Sequence, residues 1–158
     1  MAVQHEIKSQ LARLLATEDL VVEHKKVSTA CFNVHTRVLT LPLWEKASNT
    51  VYDLLVGHEV GHALFTPDED WTEQVKIPAQ FVNVVEDARI EKLIQRKYPG
   101  LRGTFIRSYK HLLKTGFFGA DLETINKGKL IDRINTFFKC GEASGVRFDS
   151  TEQVWLQQ

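Results

Sequence analysis

Two histidines four residues apart, with a glutamate directly after the first, stand in "VGHEVGHALFTP" at residues 56–67. Positions i and i+4 share a helical face, so His58 and His62 can direct their imidazoles at one point. Glu59, one residue round, can then reach a water on a metal held there. Zinc takes such nitrogens at about 2.0–2.1 Å and, in a catalytic site, leaves one position to water. That water's pKa falls toward about 7, and a neighbouring carboxylate accepts its proton as attack begins. The plainer alternative is a helix carrying two ordinary histidines and a surface glutamate. It is weakened by the flanks "VYDLLVG" and "ALF", which are apolar on several faces. Such a helix should be buried, and burying three ionisable groups without partners is costly. Gly61 and Ala63 are also small where a neighbouring element has to approach closely.

A third ligand is expected from a second helix downstream, where "QFVNVVEDARIEKLI" (80–94) supplies Glu86, Asp87 and Glu91. On a helical wheel Glu86 is surrounded by Ala79, Val82, Asn83, Arg89, Ile90 and Leu93. That mostly apolar face turns Glu86 inward, where a carboxylate needs a cation. Asp87 shares a more mixed face with Gln80, Val84, Glu91 and Ile94, which suits it to accept from a ligand histidine's other ring N–H. The competing role for Glu86 is an ion pair with Arg89 at i,i+3.

"GHEVGHALFTP" followed by "NVVEDARIE" resembles the zincin metallopeptidases whose third ligand is a glutamate, the gluzincin group. The likeness is closest to the N-terminal region of bacteriophage cobaltochelatase T-subunit-like and von Willebrand A-domain peptidase proteins, and it extends over most of the chain. The resemblance implies one zinc per chain held by His58, His62 and Glu86, with Glu59 as general base. It further implies a peptide or protein substrate, the cytosol of an infected bacterium, and work beside an AAA+ ATPase. The chain departs from those relatives in having no D-x-S-x-S metal site, and it ends at "EQVWLQQ" without an evident stop, which suits a truncated C-terminus. In better-known gluzincins an acidic residue follows the ligand by four. Ile90 occupies that place after Glu86, whereas Glu91 lies four after Asp87, so the choice between Glu86 and Asp87 stays open.

Other candidates carry less. Tyr109 and His111 in "IRSYKHLL" are candidate donors to a developing oxyanion, although Tyr and His commonly take half-buried helix positions. His5, His24 and His35 have no ligand spacing and read as surface or strand residues. Trp71, Phe117 and Phe118 fit core packing better than a cleft wall. Cys31 and Cys140 are far apart and accompany no metal motif, so neither a disulfide framework nor a zinc ribbon is expected.

The elements that must position these residues follow from periodicity. The first sixteen or so residues form a helical pattern with Ile7, Leu11, Leu14 and Leu15 on one stripe. "LVVEH" (20–24), "ACFNV" (30–34) and "RVLTLP" (37–42) are short β-type runs that predict a small antiparallel sheet with a turn at His35–Thr36. The segment "TRVLTLP" (36–42), ending in proline, is the expected sheet edge against which an extended substrate would lie. Ser48 or Asn49 caps the motif helix, which Pro67 stops. The second helix begins near Pro78 and runs to about Tyr98, after the polar loop "PDEDWTEQVKI". "TFIRSYKHLLKT" and "INKGKLIDRINTFFKC" are two more helical patterns, separated by "GFFGADLE".

Composition fits this picture. The 158 residues, 43% hydrophobic and 25% charged, suit one soluble α+β domain, zincin-like, with a small sheet packed on the HExxH helix. Twenty basic and twenty acidic residues balance, which gives no electrostatic footprint for nucleic acid. No apolar run has membrane-spanning length, and the N-terminus lacks a signal-peptide core, so a cytoplasmic protein is expected.

Overall fold

The computed structural model describes residues 4–44, 48–69, 75–116 and 121–156. The chain divides into two compact units, Met1–Ser108 and Tyr109–Gln158. The first holds α1 (His5–Ala16), β1 (Val21–Lys25), β2 (Cys31–Asn33), β3 (Val38–Pro42), α2 (Asn49–Phe65), α3 (Ala79–Lys97) and the first part of α4 (Leu101–Lys114).

The sheet is mixed, with order β1-β3-β2, which corrects the expected antiparallel arrangement. β2 and β3 form the anticipated hairpin, in register Phe32↔Leu39. Its turn is built by Asn33, whose Oδ1 accepts from the amides of His35 (3.0 Å) and Thr36 (2.9 Å), while Arg37 takes a left-handed φ of 57°. This Asx-type turn is why four residues, Val34 to Arg37, suffice between the strands. β1 then pairs with the other side of β3 in parallel, Val22 facing Leu39. β3 is therefore the central strand and not the edge expected from "TRVLTLP". Its alternation explains this, since Leu39 and Leu41 are both fully buried.

α2 is the central helix. Ser48 caps it, accepting from the Val51 amide at 3.3 Å, and apolar residues on several faces bury Val51, Tyr52, Leu54, Leu55, Val56 and Val60. The Tyr52 hydroxyl donates to the Pro42 carbonyl and accepts from Trp44 N, pinning the helix to the end of β3. Two glycines let neighbours approach. A Cβ on Gly57 would meet Phe105 of α4 at 2.9 Å, and one on Gly61 would meet Ile90 of α3 at 2.8 Å.

α1 packs through Lys8, Ala12 and Ala16 and leaves Ile7 and Leu14 exposed, so the stripe expected from the larger apolar residues is displaced. The small alanines permit close packing, and Lys8 is satisfied by Asp53 at 2.6 Å. α3 buries Ile90, Glu91 and Ile94, and Tyr98 at its end donates to the Leu15 carbonyl at 2.7 Å.

The second unit contains α5 (Leu122–Lys127), α6 (Leu130–Cys140), a single 3₁₀ turn (Glu142–Ser144) and α7 (Ser150–Leu156). The single helical pattern expected over 125–140 is broken at Gly128, whose amide donates to the Ile125 carbonyl at 2.9 Å. Arg133 of α6 grips Glu152 of α7 through two contacts of 2.5 and 2.7 Å. Cys31 is exposed and Cys140 buried, both as free thiols. Trp71, Phe117 and Phe118 lie outside the described residues. No helix among the described residues is long and apolar enough to cross a membrane.

Candidate metal centre

α2 and α3 run side by side, and their contact brings three potential ligand atoms together. His58 Nε2 lies 3.6 Å from Asp87 Oδ1, and His62 Nε2 lies 3.5 Å from the same oxygen. The two imidazole centroids are 5.0 Å apart with planes at 76°. Ligands about 2.0–2.1 Å from a tetrahedral zinc stand about 3.3–3.4 Å apart, so these separations suit one ion with little adjustment. All three side chains are half-buried.

The other ring nitrogens are already engaged. His58 Nδ1 is 2.8 Å from Glu91 Oε1, and His62 Nδ1 is 2.8 Å from the Thr66 hydroxyl. Carboxylates accept only, so His58 presents Nδ1–H to Glu91 and turns Nε2 toward Asp87. Two imidazole nitrogens and one carboxylate oxygen within reach of one point are a donor set that could hold a divalent ion such as zinc.

Glu86 is placed differently from the wheel expectation. It accepts two hydrogen bonds from Arg89 (2.7 and 2.8 Å) and one from Thr66 (2.6 Å), and it is Asp87 that faces the histidines. Ala79, Asn83 and Arg89, counted on Glu86's face, are exposed, yet the Glu86 side chain is itself covered, 13% exposed against 23% for Asp87, and both carboxylates line the same cleft. Burial alone would raise the Glu86 carboxyl, but the Arg89 guanidinium and Thr66 hydroxyl hold it below its ordinary value. In the sequence, the bond from Glu91 to His58 is signalled only by the four-residue spacing after Asp87. Thr66 carries a signal of the same kind, four residues after His62, which motif spacing alone does not single out.

Compared with family models, curated proteins and solved structures, the chain gives no significant match.

Glu59 is buried, only 6% exposed. Burial pushes its carboxyl up and the nearby Asp87 charge adds to the rise, while the two histidines and a hydrogen bond from the Phe32 backbone oppose it. Burial disfavours a charged His58, yet the hydrogen bond to Glu91 and the charges of Glu59, Glu91 and Asp87 together raise its pKa in the metal-free chain. Glu59, His62, Thr66, Glu86 and Asp87 all line one cleft of about 410 Å³, whose opposite wall is Ala30, Cys31, Phe32 and Val34. Asn83, one turn before Asp87, also faces it.

Tyr109 and His111, the candidate oxyanion donors, both fall in the second unit, whereas every residue of this cleft belongs to the first. Tyr109 is buried with Lys139 Nζ 6.0 Å above its ring, and His111 is exposed. His35 lies on the surface next to Asp68. His5 and His24 meet edge to face at 4.6 Å between centroids, away from the ligand set, and His24 Nε2 is 3.0 Å from Ser9.

Proposed function

We propose that the chain is a cytosolic zinc-dependent hydrolase of peptide bonds, holding one zinc through His58, His62 and Asp87. The observation that carries this reading is the convergence of both Nε2 atoms on Asp87 Oδ1 at 3.5–3.6 Å, at a cleft lined by His62, Asp87 and a buried, otherwise costly Glu59. Zinc bound there would polarise a scissile carbonyl and make a bound water acidic enough to lose a proton near neutral pH. Glu59 takes that proton and later returns it to the leaving amine. Glu91 keeps the His58 ring in the tautomer that leaves Nε2 free.

The sheet edge bordering the cleft is β2, with Ala30–Phe32 in its wall. An extended peptide would lie along this edge, since β3 is paired on both sides.

Metal analysis followed by incubation with a peptide library tests the proposal. We expect one zinc per chain, lost in His58→Ala and in His62→Ala. Glu59→Gln should retain zinc and fold while hydrolysis falls about 10²–10⁴-fold, because an amide cannot accept the proton. A histidine variant that keeps full zinc sinks the site. A zinc-loaded wild type that cleaves nothing would redirect the reading to a chelatase-like or assembly protein that binds zinc beside an AAA+ ATPase.

A further inference from the structure

Thr66 holds His62 twice. Its backbone amide donates to the His62 carbonyl at 3.0 Å, which closes the last turn of α2 and seats the hydroxyl beside the imidazole, 2.8 Å from Nδ1. A hydroxyl has one proton to give. Here it goes to Glu86 Oε1 at 2.6 Å. Glu86 is an acceptor on both oxygens because Arg89 faces them with a two-pronged guanidinium, Nε to Oε2 at 2.7 Å and Nη2 to Oε1 at 2.8 Å. The same Nη2 donates to the Phe65 carbonyl at 2.7 Å, one of the carbonyls left open at the end of α2.

With its proton committed to Glu86, the Thr66 oxygen can only accept from His62. His62 must then carry its proton on Nδ1, and Nε2 presents a lone pair to Asp87 Oδ1 at 3.5 Å. Two acceptors facing each other without a proton between them are a place for a cation. We infer that Thr66, Glu86 and Arg89 form a positioning chain that fixes the tautomer and ring direction of His62, and so sets how tightly the centre binds its metal. The inference rests on the metal reading above.

The chain orients the two histidines by different means. Nδ1 of His58 leans directly on the carboxylate of Glu91, whereas Nδ1 of His62 reaches the Glu86 carboxylate through a neutral hydroxyl. The arrangement ties the end of α2 to α3, so that the ring of His62 moves with the helix that bears Asp87.

The test compares Thr66→Val, which removes the hydroxyl at similar shape, with Thr66→Ser, which restores it. Zinc affinity is measured by chelator competition, and the His62 tautomer is read from the imidazole nitrogen resonances of the metal-free protein at a pH where the ring is neutral. Wild type and Thr66→Ser should show His62 protonated on Nδ1 and bind zinc within about threefold of each other. Thr66→Val should lose the single tautomer and weaken zinc about 10–100-fold, the range for a partner of a ligand histidine. Unchanged affinity together with an unchanged tautomer in Thr66→Val would overturn the chain. A wild type that takes up no zinc, yet shows the Nδ1–H tautomer and loses it in Thr66→Val, would instead overturn the metal reading and leave the hydrogen-bond chain standing.

Discussion

Glu86 and Asp87 are neighbours in sequence but serve different partners, because successive helical residues point about 100° apart. The rotation of α3 is decided by Ile90 and Ile94, both fully buried against the rest of the first unit. Asp87, seven residues before Ile94, lies almost in line with it and meets the histidines, while Glu86, on the other side of Ile90, reaches Thr66 and Arg89. We expect Asp87→Ala to abolish stoichiometric zinc. Glu91→Ala should weaken it about 10–100-fold, and Glu86→Ala by about tenfold, since both support ligand histidines without touching the ion. Competition titration against a chromophoric chelator gives the order, and Glu86→Ala abolishing zinc with Asp87→Ala nearly silent would return the ligand role to Glu86. His58, Glu59 and His62 were legible because a four-residue spacing has one meaning on a helix. The choice between Glu86 and Asp87 stayed open in the sequence, because the helix carries charge on nearly every side and its apolar residues do not mark a single face. The Asp87–Glu91 spacing did place on one face the two carboxylates that face the histidines, Asp87 near both Nε2 atoms and Glu91 on His58 Nδ1.

At the scale of elements, the site depends on how closely α2 and α3 approach. Gly61, between the two histidines in sequence, leaves room for Ile90, whose Cδ1 would sit 2.8 Å from an added Cβ and whose backbone oxygen would sit at 3.5 Å. Ile90 is fully buried and stands between Asp87 and Glu91 in sequence, so its δ-methyl has no open space to turn into and part of the strain passes to the helix that bears them. Gly61→Ala gains about 0.5–1 kcal/mol of helix preference and loses about 1–3 kcal/mol to overpacking, leaving a net stability loss of about 0–2.5 kcal/mol by the same two effects. The larger consequence should be in zinc affinity, weakened by about tenfold as the α3 carboxylates are displaced. Chemical unfolding and chelator competition on the same variant check both, and a loss of stability with affinity unchanged would mean that α3 adjusts without disturbing its ligands. The close neighbour of the motif helix was legible in the sequence, because a residue as small as Gly61 amid large apolar ones leaves a gap that only another element can fill. The sheet was less legible: strand patterns located β1, β2 and β3, but pairing between β1 and β3 is a tertiary choice that local alternation does not encode, so the central strand looked like an edge.

For the whole molecule, equal numbers of acidic and basic residues leave no net charge near neutrality, so general self-repulsion contributes little and individual shifted groups decide how stability changes with pH. In the metal-free protein the His58 pKa is raised above its ordinary 6.5 and the Glu59 pKa above its ordinary 4.5. Both groups hold protons more tightly folded than unfolded, so the stability they contribute is complete below those ordinary values and is lost as pH rises through the raised ones. Glu86, lowered from 4.5, acts oppositely, and its contribution disappears only as pH falls below that value. His24 also opposes His58 and Glu59, because burial and the neighbouring His5 lower its pKa from 6.5 and its contribution is lost as pH falls below that value. Above about pH 7 that opposition fades, and the metal-free first unit should weaken as pH rises further toward 8. Zinc reverses the trend, because protons and metal compete for the same imidazole nitrogens and binding strengthens as the protons leave. The stabilisation produced by zinc should accordingly widen from pH 6 to pH 8, with the greatest protection in Asn49–Phe65 and Ala79–Lys97, which carry all three proposed ligands. Amide hydrogen exchange with and without zinc at both pH values, corrected for the intrinsic rate, measures this by segment. A zinc effect that is equal at the two pH values, or spread evenly over the chain, would show that the metal is not held by titrating imidazoles between these two helices.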